Sequence, residues 1–151
     1  MKVNFKKLNE NAKVPTYGSP FSAGADLYAL TGGETVKFLP GETKIIHTGI
    51  AMEIPEGYMG LIFARSGIAS KRGLAPANKV GVVDSDYRGE ICVGVINQLK
   101  EAYTIQPDER IAQLVIMPVS LITPVEAEEL DEDERLARRR AYLEKEFGSV
   151  E

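Results

Sequence analysis

The stretch Val80-Gly-Val-Val-Asp-Ser-Asp-Tyr-Arg-Gly-Glu-Ile-Cys-Val-Gly-Val-Ile-Asn97 decides the fold class of this chain. Two short apolar runs, 80–83 and 90–97, flank an Asp-Ser-Asp turn. Runs of this length, rich in β-branched residues and bounded by turn formers, read as strands. The second run places Ile91, Val93 and Val95 on one face and Cys92, Gly94 and Ile96 on the other. Neither face is polar. Such a strand is expected to be covered on both sides, inside a double-layered fold or at a subunit contact.

The same pattern extends outward in both directions. Segments 3–8, 25–30, 36–39, 43–46, 50–54, 58–63, 103–106 and 111–119 also read as strands. Turn signals such as Pro40-Gly41 and Pro55-Glu56-Gly57 punctuate them at intervals of roughly ten residues, the spacing of an all-β sandwich or barrel. No helical period of useful length precedes residue 125, and no internal repeat is visible.

Composition narrows the class. A chain of 151 residues fits one domain, able to remove about 70% of its unfolded surface from water. The 44% apolar and 26% charged content is that of an ordinary globular protein. No apolar run approaches the roughly 20 residues that span a bilayer, and the N-terminus lacks a signal-peptide core. The expectation is a cytoplasmic protein without membrane contact. Net charge is −4, which argues against general nucleic-acid binding, since that requires a basic face. One cysteine, Cys92, excludes an internal disulfide framework and a cysteine-rich zinc site. One histidine, His47, excludes a histidine-rich metal centre and is expected at a solvated strand position.

Two clusters carry chemistry. Ala64-Arg65-Ser66-Gly67 offers a permanent cation, a hydroxyl donor and an unobstructed amide in succession. Arginine suits phosphate because its planar fork gives two parallel charge-assisted hydrogen bonds; a surface arginine before a turn is the plain alternative. The run from Gly67 to Gly73 lacks P-loop spacing. In the second cluster, Asn78 presents a donor and an acceptor that match the edge of uracil. Gly81 permits close approach to the backbone. Asp84 is a carboxylate able to orient and deprotonate a water, and Tyr87 can lie flat on a sugar. A simple turn between two strands explains Asp84 to Tyr87 equally well. Upstream, Asp26 interrupts an apolar strand and must be hydrogen-bonded or hydrated there.

With Ala23-Gly24-Ala25-Asp26-Leu27-Tyr28 before these clusters and Arg110-Ile111-Ala112-Gln113-Leu114 after them, the chain resembles the trimeric deoxyuridine triphosphatase (dUTPase) family. Four motifs match in the family's order across about residues 1 to 130. The resemblance implies a single-domain, jelly-roll-like β-barrel assembling as a homotrimer with strands near the threefold axis. It implies magnesium-dependent hydrolysis of dUTP to dUMP and pyrophosphate. Asp84 would be the catalytic base on water, and Tyr87 would stack on the deoxyribose and exclude ribonucleotides. Asn78 would lie in the uracil pocket beside Gly81. Ser66 would face the oxygen between the α- and β-phosphates, next to Gly67, while Arg65 and Gln113 would hold phosphate oxygens. The resemblance places Asp26 near the hydrated magnesium, reached only through water, and no residue ligates the ion directly; a purely structural role for Asp26 stays open. Related dCTP deaminases share the fold but use a glutamate proton shuttle on the base, and Asp84 to Tyr87 fits phosphate hydrolysis better.

The tail departs from the family. Members usually end in a glycine-rich arm that closes over the triphosphate, but here only Phe147-Gly148-Ser149 remains of it. Instead, Asp131 with Glu134 forms a capping pattern. Leu136, Arg140, Leu143 and Phe147 then recur at helical spacing, and Gly148 supplies a stop. The tail 131–151 is expected to form a helix over about 131–146, following the β domain of 1–130. It reads as a diverged lid, a surface for helix-mediated contact through 131–147, or an engineered addition. Without the arm, turnover is expected to be reduced. The alternative to an active enzyme is a trimeric assembly or interaction subunit that keeps the fold, with impaired catalysis and a docking helix.

Overall fold

The structure, a computed structural model, describes residues 1–130 and 133–148. Among them the N-terminal half forms β1 (Asn4–Lys7), β2 (Thr16–Tyr17), β3 (Ala25–Tyr28), β4 (Val36–Phe38), β5 (Thr43–His47), β6 (Ile50–Glu53) and β7 (Tyr58–Ala64). A short helix, α1 (Ser66–Arg72), precedes β8 (Leu74–Pro76), β9 (Gly81–Val83), β10 (Cys92–Asn97), β11 (Tyr103–Ile105) and β12 (Arg110–Pro118). A terminal helix, α2, covers Glu134–Phe147. The all-β reading therefore holds, with a C-terminal helix.

The strands pair antiparallel in a five-stranded sheet ordered β2-β3-β12-β7-β9, a three-stranded sheet β5-β10-β8, and the pairs β1-β6 and β11-β4. Leu27, Phe38, Ile50, Leu74 and Ile105 are fully buried among them. These are large aliphatic or aromatic side chains, each stabilising the core by about 1.5–3 kcal/mol on burial.

β12 is central to the site. Gln113 lies opposite Asp26 of β3 on one side and Phe63 of β7 on the other. A register shift between Arg110 and Ala112 marks a bulge, which inserts an extra residue and re-aims its neighbours. These pairings bring motifs separated by up to 87 positions to one end of one sheet, with Asp26, Gln113 and the Ala64–Arg65 corner side by side.

β10 answers the question posed by its two apolar faces. Val93 and Val95 are buried, whereas Cys92 is exposed and Gly94 and Ile96 are half-buried. Ile45, opposite Gly94 on β5, is 67% exposed. Within one chain the second face is left open, so the double-layered explanation fails for it.

Three elements escaped the sequence reading. α1 spans seven residues and buries only Ile68, too little for an apolar period to register. β2 has two residues, and β8 ends in a proline on a sheet edge, where a missing donor is tolerated. α2 is capped by Asp133, whose side chain accepts from the Arg135 amide at 2.8 Å. The expected Asp131 cap lies outside the described residues. Gly148 ends the helix as expected, donating its amide to the Glu144 carbonyl at 2.9 Å. Leu136, Leu143 and Phe147 are exposed. The chain divides into two compact units, Met1–Leu121 and Ile122–Glu151.

Candidate functional site

Two separate concavities collect the residues singled out by the sequence. The first, of about 270 Å³, is lined by Asp26, Arg65, Ser66, Gly67, Arg110 and Gln113, with Gly24 at its wall. Asp26 is 7% exposed. Its carboxylate accepts from Arg65 Nε at 2.6 Å and from Arg110 Nη1 at 3.3 Å. Arg65 also donates to the Arg110 carbonyl at 3.2 Å. A buried carboxylate without partners would be costly, and two guanidinium groups remove that cost. They are held in turn: Asp26 fixes where both cations point.

Gln113 donates its amide to the Ala64 carbonyl at 2.8 Å, which anchors it at the corner where β7 ends. Gly24 leaves room for Gln113, since an added Cβ would meet its Oε1 at 2.6 Å and push the carboxamide aside. Arg65 occupies the position before α1 with an extended backbone and makes no side-chain cap. The first amides of α1, beginning with Ser66 and Gly67, have no intrahelical acceptor and face outward as donors. The pocket therefore assembles cations, amides, a hydroxyl and a carboxamide around one fixed carboxylate. That donor set suits an anion with several oxygens.

The second concavity, of about 300 Å³, is lined by Asn78, Gly81, Asp84, Tyr87, Glu90 and Cys92, with apolar wall from Ile62 and Val83. Asn78 sits on a strained turn. Lys79 has φ 69°, uncommon for a non-glycine residue, and the Val80 amide closes back on the Asn78 carbonyl at 2.8 Å. Gly81 packs tightly, an added Cβ lying 3.2 Å from Ile62 and 3.6 Å from Asn78 Nδ2. Asp84 and Tyr87 are exposed. The Asp84 carboxylate makes no hydrogen bond or ion pair with another described residue and so faces solvent. Tyr87 is held by its hydroxyl, which donates to the Glu90 carbonyl at 3.0 Å.

No residue lines both concavities. The structure thus groups Asp26, Arg65, Ser66, Gly67 and Gln113 in one place and Asn78, Gly81, Asp84 and Tyr87 in another. Sequence reasoning missed Arg110 as a partner of Asp26, although it heads the Arg-Ile-Ala-Gln-Leu motif. It also missed Gly24, whose signal was the small-residue run before Asp26. His47 is exposed on β5 as expected, but it is not solitary, because Glu90 Oε2 lies 2.9 Å from its Nδ1.

The family model described as dUTPase matches residues 10–142. The chain belongs to the dUTPase family. A deoxyuridine 5′-triphosphate nucleotidohydrolase of Nautilia profundicola is 48% identical over 135 residues, covering 89% of this chain and 93% of that protein. One from Syntrophotalea carbinolica is 45% identical over 133 residues, covering 88% and 90%. Among solved structures, the dUTPase of Staphylococcus bacteriophage 80alpha with dUpNHpp superposes with a TM-score of 0.78 at 30% identity, covering 87% of this chain and 91% of that one. A dUTPase from phage phi11 of S. aureus, whose structure concerns coordination of a structural Mg(II) ion, gives 0.77 at 28% identity and covers 87% and 100%. Among the described residues no helix is long and apolar enough to cross a membrane.

Proposed function

We propose that this chain hydrolyses dUTP to dUMP and pyrophosphate, with the two concavities acting as the two halves of one site. The observation that carries this reading is the Asp26–Arg65–Arg110 cradle beside Gln113. It is built to hold a polyphosphate, in a chain whose relatives are named for dUTP hydrolysis. Because the nucleoside-type half, with Asn78 and Tyr87, forms a separate concavity, a second copy of the chain is the natural source of the missing half. The open face of β10 and β5 supports assembly, since Ile45, Ile96 and Gly94 are left for a neighbouring copy to cover. A homotrimer closes such heterologous contacts into a ring. The alternative of an assembly subunit with impaired catalysis gains nothing from the relatives, which are named as enzymes.

Asp84 acts first. Its exposed carboxylate orients a water and takes its proton as the oxygen attacks the α-phosphorus. The bond from that phosphorus to the bridging oxygen breaks, and pyrophosphate departs. Ser66 donates to the bridging oxygen as charge develops there, and Arg65 and Gln113 hold the departing phosphate oxygens. Donors fixed before the reaction are most effective where charge appears only in the transition state. Asn78 pairs with the uracil edge, and a mismatched edge would leave buried polar groups unpaired. Tyr87, tethered to the Glu90 carbonyl, stacks on the sugar where a 2′-hydroxyl would not fit.

Magnesium fits this donor set as an ion carried by the substrate, since both Asp26 oxygens already face guanidinium groups and can reach it only through water. Bound there, it would neutralise phosphate charge. α2 does not resemble a glycine-rich arm, and its fourteen helical residues favour contact with a partner surface over draping across a ligand. Replacing Asp84 by Asn tests the whole assignment. Pyrophosphate release should fall at least about 100-fold while a non-hydrolysable dUTP analogue binds as before. Undiminished release would remove Asp84 from the mechanism.

A further inference from the structure

We infer that His47, Glu90 and Cys92 form a binding site for a zinc-class divalent cation, at the edge of the Asn78–Tyr87 concavity that Glu90 and Cys92 line. The inference is independent of the activity proposed above. His47 and Cys92 are directly opposed across the β5-β10 ladder, and Glu90 lies two residues before Cys92. One ligand atom from each, Nδ1, a carboxylate oxygen and Sγ, lies within 4.8 Å of the others. Cys92 Sγ is 3.5 Å from His47 Nδ1, and Glu90 Oε2 is 2.9 Å from the same nitrogen. A tetrahedral zinc centre sets sulfur and nitrogen about 3.5 Å apart and nitrogen and oxygen about 3.4 Å apart, from its bond lengths. The sulfur–nitrogen edge is already in place. The nitrogen–oxygen edge opens slightly when an ion replaces the shared proton, and the His47 side chain, 59% exposed, is free to allow it.

The second oxygen of Glu90 accepts from the Gly49 amide at 2.8 Å, which orients the carboxylate as an outer-shell partner does at a metal centre. Gly49 has a left-handed backbone, and a side chain there would collide with Leu30 and Ala12, an added Cβ lying 2.8 Å from Ala12 Cβ. Two of the three ligands therefore stand on paired strands and the third is pinned by the backbone. A nitrogen, a sulfur and one oxygen select a borderline-soft cation; magnesium, which demands oxygen ligands, is rejected. The Glu90 carbonyl accepts from the Tyr87 hydroxyl, and both residues line the concavity, so the site and the ring share one residue.

Cobalt(II) titration of the full-length, assembled, reduced protein tests this. Cys92 is the only cysteine in the sequence, so a thiolate-to-cobalt charge-transfer band has one source. The expected result is a band saturating at one cobalt per chain and erased by stoichiometric zinc but not by excess magnesium. Cys92→Ser should abolish it, and His47→Ala, at an exposed position that leaves folding intact, should weaken binding at least about tenfold. No band in the unmodified protein, or a band of equal affinity in His47→Ala, would overturn the site.

Discussion

Asp26 shows how one side chain organises several others. It is buried, carries a charge and faces two arginines, so its partners are held without cost at the moment of binding. Gly24, two residues earlier, protects the same arrangement by leaving room for Gln113. Gly24→Ala should displace the Gln113 carboxamide and raise KM for dUTP about tenfold, the value of one charge-assisted hydrogen bond. Steady-state kinetics on the folded variant checks this. Away from the site, Glu42 accepts from the Leu39 amide at 2.8 Å and lies 3.3 Å from Lys44 Nζ. The Leu39 amide, with help from Lys44, holds its carboxyl below the ordinary glutamate value. A carboxylate whose folded value is depressed stabilises above its unfolded value, and loses that contribution as pH falls through the folded value. Glu42→Gln should therefore lower the urea midpoint at pH 7 and leave it unchanged in strong acid.

At the scale of elements, the turn before β12 carries an unusual residue. Asp108 has φ 60°, in the left-handed region that favours glycine. Aspartate tolerates that conformation better than most residues, and its amide donates to the Ala29 carbonyl at 3.0 Å while its carboxylate pairs with Lys13 at 3.0 Å. Asp108→Ala should be less stable than Asp108→Gly by about 1 kcal/mol, read from chemical denaturation. The alternation of apolar residues made nearly every strand legible in the sequence, because the core enforces a period of two on each buried face. α1 was invisible for the opposite reason: it buries one residue and is dictated by what surrounds it. The left-handed Lys79 was equally hidden, since no local signal marks a lysine forced to φ 69° beside the Asn78 pocket. Residue types at the site were readable, but their grouping was not. Only the β3-β12-β7 register reveals that Asp26, Gln113 and Arg65 meet, and that Asn78, Asp84 and Tyr87 do not join them.

At the scale of the whole molecule, the proposed function requires both concavities, united between separate copies of the chain. Arg65→Ala should destroy the phosphate half, and Asp84→Asn the half that activates water. Each variant should be inactive by itself. Co-refolded at equal concentrations, they should form mixed assemblies in which some sites draw an intact half from each kind of chain. Random mixing makes about a quarter of the sites whole, given a ring of heterologous contacts. Pyrophosphate release from dUTP by the mixture is therefore predicted at about a quarter of the unmodified rate. A co-assembled mixture no more active than either variant alone would contradict the account.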